Sequence, residues 1–441
     1  MPDILLEYHE VHPTTWAYLS SLMIVGIYFK FHRFWSVRNL DLIALIALAP
    51  GILLRSHGLD LIARGMDAQG RSMEQFGYVW LFAVGGFFLL RLLLDQLMVR
   101  RPLLEPNLSA GGLAFSGTAL LVFLMGNVLT GQPTVSDVEG ARQVDQMLAK
   151  KTVAAQPGPG YPLFQVFASY SSKEFNTIKN ASPEDYKRVQ LRRWTTRISA
   201  IAAHLLVVIG MVLIGYRHFD NIHTGVAAAC LYLILPYTAE MTPQIDHVIP
   251  AALLVWAIEA YRRPLVAGLL LGLAGGLIFY PLFLLPLWCG FYWRRGLIRF
   301  GLGFGLAMFL LIGSMAIITS GNAEAFWAGL RQMFTTPIFP NNASGFWTNR
   351  DLSFRIPVMA AFVAMCTSMA LWPAQKNLGT LLSCSAAVML GCQFWHANEG
   401  GMYMAWYLPL LVLTIFRPNL EDRVALSAIS EGWMRWRKSV A

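Results

Sequence analysis

Apolar stretches of helical length alternate with short polar breaks along almost the whole chain. A hydrocarbon layer of about 30 Å takes roughly 20 helical residues. Stretches that fit or approach this recur at 13–30, 40–54, 76–98, 108–130, 195–216, 221–238, 246–261, 265–280, 281–293, 296–319, 353–372, 378–394 and 402–416. Together they predict an all-α, polytopic transmembrane helix bundle of about 13 spans. The stretch 281–293 is short and counts as a span because the alternation of charged breaks requires a crossing there. Two longer polar segments, 131–194 and 320–351, interrupt the pattern. Segments of such length are uncommon unless they carry function, and both are expected to hold short amphipathic helices.

Composition sharpens this picture. The chain has 441 residues, 56% hydrophobic and 13% charged, where a soluble domain carries about 25% charged residues. With a mean hydropathy of +0.50, these values exclude a secreted disulfide scaffold, a disordered chain and a soluble enzyme held by one anchor. The net charge of +9 comes from Lys and Arg in short clusters between apolar stretches, a mark of membrane topology rather than nucleic-acid binding. Cytoplasmic breaks concentrate such residues. Placing Lys30, Arg33, Arg38, Arg100, Arg101, Arg217, Arg262, Arg263, Arg294, Arg295, Arg299, Lys376 and the tail 417–441 in the cytoplasm leaves the breaks 238–244 and 396–401, which hold no Lys or Arg, outside. The N-terminus is then outside and the C-terminus cytoplasmic. Arg55, Arg64 and Arg71 run against this scheme. The first ten residues carry Asp3, Glu7 and Glu10 and no Lys or Arg, so insertion by the first helix is expected rather than a cleaved signal. All five cysteines lie in apolar stretches without a CxxC pair and read as small core residues. The organisation that follows is a three-span region 1–107, a core 108–319 containing the loop 131–194, a second loop 320–352, spans over 353–416 and a basic tail 417–441.

The loop opening at 134 carries the chemistry. Ser136 and Glu139 form a capping-box pattern, and Asp137 falls in the first turn, so one reading makes both acids helix caps. Phase separates them. Asp137, Ala141, Val144 and Leu148 fall on one helical stripe, whereas Glu139 lies about 200 degrees away. A carboxylate on the inward stripe of a helix at a membrane surface calls for a partner or a use, which makes Asp137 the leading functional candidate and Glu139 the second. Asp145 reads as solvated or paired with Arg142.

An acidic element just after a span that leaves the cytoplasm, an amphipathic helix and the Gly/Pro break 157–162 together resemble the first extracytoplasmic loop of the GT-C glycosyltransferases. Arg263-Pro264 followed by Gly268 and Gly272, closing with Tyr280-Pro281 and Leu285-Pro286, resembles the basic-Pro span of their polyprenol-phosphate mannosyltransferase branch, and Tyr407 with Pro409 resembles a late span. The resemblance covers about 108–416 and implies transfer of a sugar, a mannose-like hexose, from a polyprenyl-phosphate donor to a hydroxyl of a lipid, glycan or protein acceptor outside the cytoplasm, with inversion. It also implies an integral protein of the bacterial inner membrane.

That chemistry needs a carboxylate base at the acceptor hydroxyl and donors for the departing phosphate. Asp137 is the expected base, with Glu139 second. For the phosphate the candidates are Arg350, Arg331, Arg192 and Arg193, since the guanidinium fork suits phosphate oxygens. Arg350 reads equally as an ion pair or headgroup anchor, and Arg192 and Arg193 more readily as anchors. Gln244, Asp246 and His247 cluster at the outer mouth of a span, as interfacial caps or as sugar or acceptor ligands. His396 and Glu399 read similarly but more weakly, and Phe346 and Trp347 either stack on a sugar or belong to the interfacial belt. Gly268, Gly272 and Gly276 allow close helix contact. Arg91 and Asp95, four apart, read as a structural ion pair rather than a proton relay. No cofactor is required and no dedicated metal site is expected, although Mg or Mn could bridge Asp137 and phosphate. A flippase or transporter would show repeated halves and interior charges, and a scaffold would leave Asp137 replaceable; both remain alternatives.

Overall fold

The computed structural model describes residues 12–98, 104–130, 184–318, 343–348, 350–373 and 375–420, with parts of 323–330, and for 184–193 the helical backbone alone. These residues form an all-helical bundle. Its first helices are α1 (Pro13–Tyr28), α2 (Val37–Ile46), α3 (Leu48–Ala63), α4 (Asp67–Leu94), α5 (Ala110–Thr130), α6 (Glu184–His218), α7 (Ile222–Ile234) and α8 (Pro236–Glu240). There follow α9 (Ile245–Glu259), α10 (Pro264–Leu277), α11 (Leu285–Phe291), α12 (Leu297–Ile318), α13 (Arg355–Leu371), α14 (Leu378–Gly391) and α15 (Leu408–Phe416).

Local chemistry sets many of these boundaries. Ser36, Asn221 and Asn377 cap α2, α7 and α14 by accepting main-chain N–H groups of the first turn. Pro13, Pro236, Pro264 and Pro409 stand in the first turns of their helices, where a missing N–H costs nothing.

Among the described residues, six helical stretches are long and apolar enough to cross a membrane: Val37–Ala63, Asp67–Leu97, Ala110–Leu129, Trp194–His218, Leu297–Ile317 and Leu352–Leu371. Burial is distributed as a membrane requires. The polar-poor helices α14 and α15 are buried along their whole length. In contrast α5, α12 and α13 expose Phe115, Val122, Ile298, Phe309, Ile317 and Leu371 on the bundle's flanks. Large apolar side chains facing outward in such number mark a lipid-facing surface.

Three predicted elements differ from the observed ones. The break 55–75 is a helical hairpin, since α3 continues to Ala63 and α4 starts at Asp67. Glycines hold it closed: a Cβ on Gly58 would lie 2.7 Å from the Gly70 oxygen, and one on Gly77 2.8 Å from the Gly51 oxygen, so the two backbones touch. The stretch 281–293 is a 3-10 turn, Tyr280–Leu284, followed by the short α11. The Tyr280 ring lies 4.8 Å from His396, and the Tyr292 hydroxyl donates to the Tyr261 carbonyl at 2.5 Å. Finally, 402–407 is a turn rather than the start of a span, so α15 begins only at Leu408.

Gly268, Gly272 and Gly276 serve the close contact expected of them, packing on Phe300, Ala307 and Leu311 of α12. The cysteines are buried except Cys289, which is half-buried, and none is paired. Successive spans run in alternation between two ends of the bundle, with α2 and α3 joined into one continuous stretch, Val37–Ala63. The lower end holds Asp41, Arg91, Asp95 and Arg417, and the Arg217–Glu259 ion pair. Gathered at the upper end are the region where the α3–α4 hairpin projects, the 235–245 turn, the segment 343–354 and the 392–407 turn.

Candidate functional site

Breaks in helices build the upper end. Leu235 is extended ahead of Pro236, which stops α7 and turns the chain through α8 into a loop ending at Gln244. After α14 the chain turns through Glu399 (φ +50°) and Gly401 (φ +95°). Gly345 (φ +73°) sits against this turn, where a Cβ would lie 2.8 Å from the Glu399 Cα. Main-chain bonds lock the two segments together, Ser344 N–H to the Ala397 oxygen at 3.1 Å and Glu399 N–H to the Ser344 oxygen at 3.2 Å.

Charged groups then converge. Arg55 on α3 donates from Nε to the Tyr78 hydroxyl at 3.1 Å and from Nη2 to Glu399 Oε2 at 3.2 Å. Glu240, the last residue of α8, lies in the field of the same guanidinium. Burial pushes its carboxyl up to about 7, with Arg55 pulling the other way. Asp246 occupies the first turn of α9, where the helix dipole favours an acid. Its carbonyl oxygen accepts the Trp406 indole N–H at 3.1 Å.

Beside the charges stands a stack of rings. His247 lies 4.6 Å from Tyr403, Tyr403 4.4 Å from Trp406 and 4.7 Å from His396, and Tyr280 closes the group 5.3 Å from Trp406. The Tyr237 hydroxyl and His247 Nδ1 are 2.6 Å apart. Burial pushes His396 down to about 3, so its ring is neutral and Nδ1 accepts the Asn398 N–H at 3.2 Å. Carboxylates beside aromatic faces offer acceptors for hydroxyls and an apolar platform for a ring of alternating character, as a polar ligand site requires.

No family model, curated protein or solved structure matches the chain. The site therefore stands on its own geometry.

Each expected site residue can now be placed. Asp137, Glu139 and Arg331 lie outside the described residues. Arg192 and Arg193 fall on α6, in its stretch described by backbone alone. Asp246 and His247 stand at the centre, whereas Gln244 is half-buried in the preceding turn with its main-chain N–H on the Met241 oxygen at 3.1 Å. Arg350 is at the rim, donating to Gln75 Oε1 at 3.1 Å with its guanidinium 3.9 Å above the Phe346 ring. Phe346 stacks on Phe82 and Trp347 is buried, donating to the Phe394 oxygen, so both brace the segment. His396 and Glu399, the weaker candidates, are brought to the middle. Among the described residues, no three His, Cys, Asp or Glu side chains are grouped to hold a metal ion.

Arg55, Tyr78, Glu240, Tyr403 and Trp406 escaped the sequence reading. Arg55 had left a trace as a cation that runs against the expected alternation of charge, and it bonds Glu399. Glu240 carries a testable consequence. The folded protein holds its proton more tightly than a free side chain ionising near 4.5, so its contribution to stability is full below that pH and is lost as pH rises through about 7. The unfolding midpoint in detergent should fall between about pH 4.5 and pH 7, and Glu240→Gln should flatten the fall. Equal slopes in the two proteins would contradict this assignment.

Proposed function

We propose that the chain is a multi-pass membrane transferase of the GT-C type, crossing the bilayer about 13 times with its upper end outside. It moves a sugar, a mannose-like hexose, from a polyprenyl-phosphate donor to the hydroxyl of a lipid, glycan or protein acceptor, with inversion. Asp137 takes the acceptor proton, with Glu139 as the second candidate for that role.

One observation carries this reading. Helices α5 and α6, which frame the loop holding Asp137, both have their loop ends at the upper end, where Arg55, Glu240, Asp246, Glu399 and the ring stack are gathered. The opposite end of α5 follows Asn107, which bonds Lys30 near the lower end, and the opposite end of α6 places His218 on the Glu259 carbonyl at 2.7 Å. On this reading Asp137, which lies outside the described residues, would act beside a surface with a cation for phosphate and rings for a sugar. The basic residues of the lower end suit the cytoplasmic side.

The deciding experiment supplies purified protein in lipid nanodiscs with radiolabelled polyprenyl-phosphate mannose and a mixture of membrane-lipid and glycan acceptors. Label covalently attached to an acceptor, in the inverted anomer, is the expected result. Intact labelled donor that merely changes leaflet in the corresponding proteoliposomes would make the protein a flippase instead.

A further inference from the structure

We infer that Arg55 receives the phosphate of the lipid-linked substrate, and that Glu399 is a displaceable carboxylate occupying its guanidinium until the phosphate arrives. This rests on the proposed transferase reading for the identity of the phosphate's carrier, but the binding event is separable from transfer.

The contrast among the arginines of the upper end supports it. Arg355 is buried, with Nε and Nη2 both on the Trp395 carbonyl at 3.0 and 2.7 Å. Arg350 is clamped between Gln75 and the Phe346 ring. Arg55 differs from both. Of the five N–H groups on a guanidinium, its Nε is held by Tyr78 and a single Nη2 contact reaches Glu399, while Nη1 bonds to nothing among the described residues. Tyr78 is itself fully buried, so it fixes the plane of the fork without using the pair of donors that a phosphate takes side by side.

Glu399 has the properties of a partner that can leave. Its side chain is 44% exposed against 11% for Arg55, so the carboxylate can move into water while the guanidinium stays. It sits at φ +50° in a turn with Gly400 and Gly401, not on a helix. The exchange keeps the charge balance, because an anionic phosphate oxygen replaces a carboxylate oxygen on the same Nη2. Three acids, Glu74, Glu240 and Glu399, lie in the field of Arg55, Glu74 also in that of Arg71. Hence an ion pair that persisted beside an incoming phosphate would be unfavourable, and departure of Glu399 relieves that repulsion. The ring stack lies on the same turn as Glu399, through His396 and Tyr403. A phosphate on Arg55 would therefore bring an attached sugar beside these rings.

The test measures binding of dodecyl phosphate, inorganic phosphate and dodecanol to the full chain in nanodiscs, by intrinsic tryptophan fluorescence. Arg55→Gln should weaken dodecyl phosphate binding at least tenfold, Glu399→Gln should tighten it several-fold, and dodecanol binding should not change in either. Inorganic phosphate should follow the same order with lower affinity, because the fork reads the phosphate and the chain adds membrane partition. Should Arg55→Gln fail to fold, Glu399→Gln decides alone. Unchanged or weaker dodecyl phosphate binding in that variant overturns the inference, as does equal affinity in wild type and Arg55→Gln. Arg55-dependent phosphate binding without any sugar transfer would remove the transferase reading and keep this one. Undiminished transfer by Arg55→Gln at an unchanged donor KM would do the reverse.

Discussion

Asp137→Asn is expected to lower sugar transfer by about 10²- to 10⁴-fold while leaving the donor KM within about twofold, the signature of a lost general base. The amide keeps the size of the carboxylate and a hydrogen-bond acceptor, but it cannot take a proton from the acceptor hydroxyl. Glu139→Gln should fall well short of this, since the helical phase expected from the sequence sets it about 200 degrees from Asp137. The competing base is Glu240. Its carboxyl, raised by burial to about 7, lies near working pH, where a general base is most effective. A radiolabel assay on Asp137→Asn and Glu240→Gln side by side separates them. Full activity in Asp137→Asn with a deep loss in Glu240→Gln would transfer the role to the 235–245 turn.

How far the sequence could be read depended on whether the signal was local. Spans such as α5 and α12 are predominantly apolar, with Arg299 the one charged residue in either, and a bilayer-length run is legible without knowing its neighbours. The α3–α4 hairpin was not, because 55–75 is polar enough to read as a loop, whereas its helicity rests on the backbone contact of Gly58 with Gly70. Likewise the pairing of Arg91 with Asp95 could be read from a spacing of four residues, but Asp41 and Arg417 joined it only through the fold. At the upper end the same rule holds. Asp246 and His247 were visible as polar groups at the start of an apolar run. Arg55, by contrast, meets Glu399 across 344 positions of sequence, a pairing that no local pattern records.

The lower end offers the largest expected loss of stability. Asp95 is fully buried and accepts from Arg91 Nη1 at 2.8 Å and from Arg417 Nη2 at 2.7 Å. Arg91 also grips buried Asp41, with Nε at 3.0 Å from Oδ1 and Nη2 at 3.1 Å from Oδ2. The four charges balance and tie α2, α4 and the chain just beyond α15 into one cluster. Asp95→Ala removes one acid and leaves two guanidinium groups facing each other across a cavity, so it should cost about 3–5 kcal/mol. Asp95→Asn retains an acceptor for one arginine and should cost less, and Arg350→Ala at the solvent-facing rim should cost about 1 kcal/mol or less. Unfolding midpoints of the three variants in one detergent measure this order. An Asp95→Ala protein as stable as Arg350→Ala would mean that the cluster's attraction only offsets the desolvation of its own charges. In that case the apolar packing of α14 and α15 alone would hold the lower end together.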